Sequence, residues 1–317
     1  MAIKDTYEVI IVGGGPAGLA AGLYSQRAAM RTVLFERGLI GGQIAISKDV
    51  ENYPGVEGIK GFDLAERLVR HAQGFGLSII NEEVASVSAG PDLHEVRLAN
   101  GDSFRAVALI LAPGGTARKL GVPGEREYLG SGVSYCATCD GFFFRGRTVV
   151  VVGGGDTAVE EALHLARLVK KVYLVHRGSK LRAAGLLQSR LLAEPAIEII
   201  WNTIVTQIKG NSRIVEAVSL ENVGTGQQRE LPVDGVFIFI GFSPNNLLVP
   251  PEVRINELGF VVTDDKCETS VTGIFAAGDL RKKYANQIVI AAGDGALAAL
   301  AAANYVEMRK ASELVRT

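Results

Sequence analysis

Val9-Ile-Ile-Val-Gly-Gly-Gly-Pro-Ala-Gly18 recurs, at an offset of 140 residues, as Val149-Val-Val-Val-Gly-Gly-Gly-Asp-Thr-Ala158. Each copy joins a run of β-branched residues to a glycine turn and a helical pattern, and a second apolar run follows it. Apolar runs without alternation are typical of parallel strands that helices cover on both faces. The repeat therefore predicts an α/β fold with two right-handed βαβ units, whose strands are Glu8–Val12, Thr32–Phe35, Thr148–Val152 and Lys171–Val175.

The composition is that of a folded protein with about two domains. The chain has 317 residues, of which 48% are hydrophobic and 21% are charged, and roughly 150 residues form one domain. Its formal net charge of -1, without a run of Lys or Arg, argues against nucleic acid or an anionic membrane surface as a partner. Three cysteines in so long a chain exclude a secreted disulfide scaffold. We therefore expect a cytoplasmic protein.

Two apolar stretches raise the question of a membrane span. Glycines and a proline interrupt Val9–Tyr24, and Ala296–Ala303 has only eight residues before Asn304, whereas a span needs roughly 20. Neither stretch is predicted to cross a bilayer, and the glycine-rich core of the first is a poor signal peptide. The Ala-rich helix predicted at Gly295–Tyr305 suits either a core or an interface between subunits.

The first glycine turn has the spacing of a dinucleotide site. In Gly13-x-Gly15-x-x-Gly18, the glycines allow a tight turn, a close approach of a pyrophosphate and close packing of helix on strand, in that order. The helix N-terminus directs partial positive charge at the phosphates. Glu36 ends the second strand, where a carboxylate accepts hydrogen bonds from a ribose. The alternative is that these glycines serve only a tight turn.

The second glycine turn differs from the first at two positions. Ala158 replaces the third glycine, and His176 stands where the first copy has Glu36. The end of this strand carries a cationic cluster that consists of His176, Arg177, Lys180 and Arg182. Such a cluster is suited to the extra phosphate of NADP, with a solvated basic loop as the alternative. The repeat thus predicts two Rossmann-like sites for different dinucleotides.

A Cys-x-x-Cys pair, Cys136-Ala-Thr-Cys139, lies just before the second copy. Thiols at this spacing can bridge, and the pair usually lowers the pKa of one thiol, so that a thiolate attacks disulfides near neutral pH. The alternative is half of a zinc site, but Cys267 stands alone and the four histidines have no ligand spacing. We therefore predict a redox pair, a structural thiol at Cys267 and no metal site.

The chain resembles the low-molecular-weight thioredoxin reductases along nearly its whole length. Besides both turns and the Cys-Ala-Thr-Cys-Asp motif, the resemblance rests on Gly41–Gln43, Glu51–Gly55, Gly241–Asn245 and Thr269–Asp279. It implies a homodimeric enzyme, a thioredoxin-disulfide reductase that passes electrons from NADPH through FAD to a protein disulfide. It also implies an FAD-binding domain at 1–115 and 246–317, with an NAD(P)H-binding domain at 116–245 inserted into it.

The resemblance assigns residues to both cofactors. Those expected to bind FAD are Gly13, Gly15, Pro16, Ala17, Gly18, Glu36, Gly42, Gln43, Asn52, Val84, Gly278, Asp279, Gln287 and Ile288. Those expected to bind NAD(P)H are Gly153, Gly154, Gly155, Asp156, Thr157, His176, Arg177, Lys180, Arg182 and Gly241.

The resemblance also implies catalytic roles. Cys139 would face the flavin, Cys136 would attack the partner protein, and Asp140 would exchange a proton with a thiol, which requires a carboxyl with a raised pKa. The alternative for Asp140 is that it caps a turn. In the family the inserted domain rotates, and its hinges correspond here to Gly114-Gly115 and Gly241–Asn245.

Three positions depart from the family pattern. Gly178 stands where an arginine for the 2′-phosphate is expected, Pro113 replaces a threonine, and Asn286 replaces an arginine. Loss of one charge-assisted contact costs about 1.5–3 kcal/mol, which weakens the preference for NADPH. The alternatives for the donor are therefore NADH or dual use, or a donor other than a nicotinamide. Separate alternatives for the function are a different disulfide partner and a flavin-bound sensor without turnover.

Overall fold

The computed structural model describes residues 3–47 and 49–316. The strands are β1 (Ile3–Val12), β2 (Thr32–Glu36), β3 (Asp49–Val50), β4 (Ile59–Lys60), β5 (Ser78–Asn81), β6 (Val84–Ser88), β7 (His94–Leu98), β8 (Ser103–Leu111), β9 (Gly115–Ala117), β10 (Val133–Ser134), β11 (Thr148–Gly153), β12 (Lys171–Val175), β13 (Ile197–Ile200), β14 (Thr203–Gly210), β15 (Val215–Asn222), β16 (Gln228–Pro232), β17 (Gly235–Phe239), β18 (Phe242–Pro244) and β19 (Ile274–Ala276). The α-helices are α1 (Pro16–Arg27), α2 (Gly61–Gly74), α3 (Ala137–Asp140), α4 (Asp156–Ala166), α5 (Gly185–Leu192) and α6 (Ile288–Arg316), and 3₁₀ helices cover Gly42–Ile46, Gly141–Phe144 and Gly278–Leu280.

The chain divides into two compact units. The first comprises Met1–Thr116 and Ser243–Thr317, and the second comprises Ala117–Phe242. In sequence, the second unit is thus an insertion in the first. Strands β9 and β18 form a separate two-stranded pair.

The first unit contains a seven-stranded sheet. Its strand order is β5-β2-β1-β8-β7-β6, and β19 also pairs with β8. The pairs of β1 with β2 and β8, of β2 with β5 and of β8 with β19 are parallel. Strands β6 and β7 add an antiparallel hairpin at one edge. The predicted α/β class is confirmed, because the fully buried strands Val9–Val12 and Val33–Phe35 form the centre of a parallel sheet.

Strand β1 is longer than the prediction of Glu8–Val12. It begins at Ile3, and its first half pairs with β8 alone, after a register shift between Ile3 and Asp5. This half alternates exposed with half-buried residues, and a stretch with charged residues carries no buried-strand pattern. Its long-range partner therefore extends the strand beyond what the local pattern predicts.

The second unit contains two sheets. One is a five-stranded parallel sheet in the order β10-β17-β11-β12-β13, and the other is the antiparallel meander β14-β15-β16. Strands β11, β12 and β17 are buried along most of their length, between the side chains of α4 and those of the meander. The carboxyl ends of β11, β12 and β17 lie at one edge of the parallel sheet, since Gly153 pairs with Phe239 and Val152 pairs with Val175.

Helix α6 is a core helix of the first unit. Ala298, Ala299 and Ala302 are fully buried in the cluster that α1 also enters, and a Cβ on Gly295 would lie 1.9 Å from the Ala17 carbonyl oxygen. The absence of a side chain at Gly295 is thus what lets the two helices approach so closely. By length and composition alone, the segment Ile288–Ser312 could also cross a membrane, but burial of its alanines assigns it to the core.

Candidate active site

At two positions of the first turn, the backbone comes so close to another backbone segment that only glycine fits. Gly13 has φ +108°, and a Cβ there would lie 2.3 Å from the carbonyl oxygen of Ala112. A Cβ on Gly18 would lie 1.8 Å from the carbonyl oxygen of Gly13. Since real Cβ atoms do not approach backbone oxygens so closely, neither position tolerates a side chain without a shift of the backbone. The first and third glycines have the roles that the spacing predicts.

The N-terminus of α1 is open to an anion. No side chain caps the helix, which begins after Gly15 with Pro16 at its first position. A Cβ on Gly15 would meet nothing within 4 Å, whereas Gly42 lies close to Gly15 and Gly278 lies close to Ala17. Free amides at a helix N-terminus and a gap in front of them are what a pyrophosphate requires.

Glu36 organises the same turn. Its Oε2 accepts a hydrogen bond from the Gly14 amide at 2.6 Å, and its Oε1 accepts one from the Gly38 amide at 2.8 Å. Each carboxylate oxygen keeps a second lone pair that a ribose hydroxyl could use. The side chain therefore links the end of β2 to the turn and still has acceptor capacity.

Asp279 lies beside this turn, because Gly278 packs against Ala17 in α1. Its Oδ1 is buried and accepts no hydrogen bond, although Nζ of Lys283 lies 2.9 Å away. Lys283 also forms an ion pair with Asp294 at 3.4 Å. The Lys283 ammonium therefore compensates the charge of this carboxylate within the first unit.

The remaining residues assigned to FAD lie in several elements of the first unit. Asn52 Nδ2 donates to Oε1 of Gln287 at 3.1 Å, which brings two of them together, and Ile288 begins α6 directly after this pair. Gln43 lies in the 3₁₀ helix that starts at Gly42. Val84 begins β6 and is buried in the core.

The second glycine turn is built differently. A Cβ on Gly153 would lie 2.5 Å from both the Ala158 methyl carbon and the Phe239 carbonyl oxygen. The methyl group of Ala158 thus occupies space that the third glycine leaves empty in the first turn. Gly155 precedes α4, again with no side-chain cap and nothing within 4 Å of its Cβ position. This helix N-terminus also suits a phosphate.

His176 faces the interior of the second unit. It is 8% exposed, and its Nδ1 and Nε2 each lie 2.9 Å from a carbonyl oxygen, of Gly153 and Lys180 respectively. The ring fills the space beside Gly154, where a Cβ would lie 2.2 Å from Nδ1. The imidazole therefore connects the glycine turn to the basic loop, and its position does not expose a cation.

The basic loop is attached to the turn at two further points. The Arg182 amide donates to the Gly154 carbonyl at 2.7 Å, and the Ala184 amide donates to Oδ1 of Asp156 at 2.7 Å. The side chains of Arg177, Lys180 and Arg182 are exposed. Within residues 3–47 and 49–316, none of the three forms an ion pair with a carboxylate. Three unpaired cations thus lie on a loop that is fixed to the second glycine turn.

The last two residues assigned to NAD(P)H lie at the same edge of the parallel sheet. Thr157 is exposed in the first turn of α4. Gly241 follows β17 by two residues and has φ +128°. Its carbonyl accepts from the Arg118 amide at 2.9 Å.

The cysteine pair forms a disulfide, as predicted, at the N-terminus of α3. Cys136 and Cys139 are bonded, with their Cα atoms 5.3 Å apart. The Cys139 amide donates to Sγ of Cys136 at 3.2 Å. After reduction, an amide directed at this sulfur would stabilise a thiolate on Cys136 rather than on Cys139.

The side chain of Asp140, which follows Cys139, is held by a hydrogen bond to Ser134. The Ser134 hydroxyl donates to Oδ2 of Asp140 at 2.5 Å. Burial raises the pKa of the Asp140 carboxyl, and the hydrogen bond from Ser134 acts in the opposite direction. The side chain makes no cap at Gly141, so its placement suits a proton donor better than the turn-capping alternative.

Glu161 in α4 is a second carboxyl at the cysteine helix. Its carboxyl accepts a hydrogen bond from the backbone amide of Ala137, while its Oε2 is buried without a partner. Burial raises its pKa as well. Sequence analysis missed Ser134, Glu161 and Lys283, because none lies in a motif and each meets its partner through tertiary packing.

Cys267 is separate from this chemistry. Its thiol is fully buried in the first unit and lies 3.7 Å from the carbonyl oxygen of Asp294. Burial raises the pKa of the Cys267 thiol to about 11, so that it is protonated and unreactive near neutral pH. Within the described part of the chain, no group of three or more His, Cys, Asp or Glu is placed to hold a metal ion.

The chain is similar to known proteins along most of its length. Residues 7–295 match the profile of the family described as pyridine nucleotide-disulphide oxidoreductase. The chain is 45% identical to the thioredoxin reductase of Bacillus subtilis (strain 168), with 97% of each chain covered. It is 46% identical to the thioredoxin reductase of Treponema pallidum (strain Nichols), over 96% of this chain and 99% of that one. The crystal structure of thioredoxin reductase from Streptococcus pyogenes MGAS5005 is similar with a TM-score of 0.92 and 42% identity, over 96% and 99%.

Proposed function

We propose a function from one premise: the chain belongs to the pyridine nucleotide-disulphide oxidoreductase family. It is an oxidoreductase, and its site best supports reduction of the thioredoxin disulfide with NADPH as the electron donor. The observation that carries this function is the Cys136–Cys139 disulfide, which begins a helix beside the half-buried carboxyl of Asp140. Relatives named thioredoxin reductase, similar over nearly the whole chain, support it.

We assign FAD to the first unit. The fit rests on the uncapped N-terminus of α1 and the gap in front of Gly15. Glu36 would hold the ribose, the amides after Gly15 the pyrophosphate, and Asp279 the chain that leads to the flavin. The Asn52–Gln287 pair would line the flavin. Bound FAD supplies a two-electron relay between a nicotinamide and a disulfide.

We assign the nicotinamide dinucleotide to the second unit. The amides after Gly155 would hold its pyrophosphate, and the exposed Arg177, Lys180 and Arg182 would hold a 2′-phosphate. These cations favour NADPH, and the described strand end carries no acid that would select NADH. The glycine at position 178 leaves dual use as the second candidate.

The cysteine segment performs the exchange of disulfides. Cys136, whose sulfur accepts the Cys139 amide, would attack the disulfide of thioredoxin. Cys139 would then resolve the mixed disulfide, while Asp140 protonates the leaving thiolate. We further propose that the enzyme is cytoplasmic and acts as a homodimer, as its resemblance to the family implies.

Anaerobic titration tests this function. NADPH is expected to bleach the flavin absorbance of the holoenzyme, and the bleached enzyme is expected to reduce thioredoxin. In Cys139→Ser, NADPH should still bleach the flavin, but reduction of thioredoxin should be lost. Flavin that stays oxidised with NADPH and with NADH would rule out a nicotinamide donor. Comparison of kcat/KM for the two donors separates NADPH preference from dual use.

A further inference from the structure

The hydroxyl of Ser134 has more partners than one proton can serve. Its Oγ accepts from the Cys136 amide at 3.0 Å. It also lies 3.1 Å from the Cys136 carbonyl oxygen and 2.5 Å from Oδ2 of Asp140. Serine has a single O–H donor and two acceptor lone pairs. Whether both of the last two contacts are hydrogen bonds therefore depends on the protonation of Asp140.

The two protonation states of Asp140 use the hydroxyl differently. When Asp140 is ionised, its carboxylate and the Cys136 carbonyl compete for one proton. When Asp140 is protonated, it donates to Ser134, and Ser134 donates to the Cys136 carbonyl. All three contacts are then satisfied at once. Ser134 is 3% exposed, so water does not readily replace a partner that is lost.

We propose that Ser134 is a positioning residue for the proton of Asp140: its hydroxyl turns from the Cys136 carbonyl to Oδ2 of Asp140 when that proton leaves. The hydroxyl thus stabilises the carboxylate that proton transfer creates at the half-buried Asp140. This inference rests on the disulfide exchange of the proposed function, but it does not depend on the donor or on the identity of the protein partner.

Reduction of one disulfide to two thiols takes two protons, of which Asp140 supplies one and Cys139 the other. The Cys136 thiolate attacks a disulfide RSSR, the Cys136–SR bond forms, and the leaving RS⁻ takes the proton of Asp140. Ser134 then donates to the Asp140 carboxylate. The Cys139 thiol passes its proton to Asp140 and attacks Cys136, and the second RS⁻ takes that proton. The products are the Cys136–Cys139 disulfide, two RSH and ionised Asp140.

Other ionisable groups lie on the elements packed against α3. Helix α4 contributes Glu161, which bonds the Ala137 amide, and Glu160, whose charge acts on Glu161. The 3₁₀ helix Gly141–Phe144 carries no ionisable side chain. Among these groups, Asp140 is the carboxyl that Ser134 contacts, and Glu161 is the rival for any effect of pH on the exchange.

For the experiment, the holoenzyme is reduced with dithiothreitol, and the reductant is then removed anaerobically. The reduced enzyme reacts with small disulfides, so that neither NADPH nor thioredoxin is needed. A dialkyl disulfide has a basic leaving thiolate that requires a proton, whereas an aromatic disulfide has a leaving thiolate that does not. Ser134→Ala is expected to lower the ratio of the dialkyl rate to the aromatic rate about tenfold. The variant should also move the alkaline limb of the pH profile for the dialkyl disulfide to higher pH. Without the hydrogen bond from Ser134, nothing opposes the rise in the pKa of Asp140 that burial causes.

Three further variants complete the test. Asp140→Asn should abolish the alkaline limb, and Ser131→Ala, a matched change three residues earlier, should leave both rate ratio and limb as they are. Equal slowing of both disulfides in Ser134→Ala, or an unshifted limb, would overturn the inference. So would a limb that survives in Asp140→Asn and disappears in Glu161→Gln. Failure of NADPH or thioredoxin to react with the unmodified enzyme would instead count against the proposed function.

Discussion

The two glycine-rich βαβ units share a sequence pattern but use it differently. In the first unit, Glu36 accepts two backbone amides at the glycine turn. In the second, His176 occupies the matching position, and each of its ring nitrogens lies 2.9 Å from a carbonyl oxygen. The Glu36 carboxylate holds the first turn by accepting hydrogen bonds from amides, whereas the His176 ring holds the second turn through contacts with carbonyl oxygens. The two turns are thus held by side chains of different hydrogen-bonding character, and their first glycines differ in backbone conformation, since Gly13 has φ +108° and Gly153 lies within β11.

This difference separates the two sites in charge. Glu36 keeps acceptor capacity at the strand end, which suits ribose hydroxyls. His176 is turned inward, and the loop that it holds presents Arg177, Lys180 and Arg182 to solvent. The residue at the strand end and the loop after it therefore set the charge of each site.

The largest expected effect is on stability, and it distinguishes Gly18 in the first turn from Ala158 at the matching position of the second. Gly18→Ala should cost at least about 3 kcal/mol in the first unit, because its Cβ would overlap a backbone oxygen. Ala158→Gly should cost only about 1 kcal/mol, as a helical glycine does. Thermal unfolding and the FAD content of purified protein measure both. Equal losses in the two variants would show that the turns are built alike.

The next effect concerns the acid of the first turn. Glu36→Ala removes the acceptor of two amides and should weaken FAD binding about 100-fold, since a charge-assisted hydrogen bond contributes about 1.5–3 kcal/mol. Titration of apoprotein with FAD, followed by flavin fluorescence, measures the change. Binding of NADPH to the same variant serves as the control and should be unchanged. If FAD binding survives, Glu36 serves only the backbone.

A smaller effect is expected at the cations of the second site. Arg177→Ala and Arg182→Ala should each lower kcat/KM for NADPH about 10- to 30-fold and leave the value for NADH nearly unchanged, because only NADPH carries the 2′-phosphate. Arg213→Ala, which removes an exposed cation elsewhere in the second unit, is the matched control. Parallel losses with both donors would mean that these side chains do not recognise the phosphate.

The smallest effect is a gain. Gly178→Arg should raise the preference for NADPH over NADH by about fivefold, since it adds a cation to the basic loop. Its Cβ would lie 3.1 Å from Nε2 of His176, so a small shift of the ring accommodates it. The ratio of kcat/KM for the two donors measures the gain. A ratio that stays constant would indicate that the side chain at position 178 points away from the phosphate.

Much of the fold could be predicted because its signals are local. The apolar runs of β2, β11 and β12 and the glycines of both turns lie within stretches of about 30 residues, and the structure confirms the two βαβ units there. The first half of β1 could not be predicted, because it pairs with β8, about 100 residues away in the chain. The disulfide was also predictable, since two cysteines three residues apart bridge within one helical turn.

By itself, the sequence determined the α/β class, the two glycine turns and the Cys136–Cys139 pair, because each depends on residue types at short, fixed spacing. Only the tertiary structure decided that His176 turns inward, that Lys283 meets Asp279, and that Ser134 and Glu161 surround the cysteine helix. Burial and hydrogen-bond partners depend on which distant elements pack together. A sequence pattern records the side chain at a position, but packing decides whether that side chain meets solvent, a carbonyl or another charge.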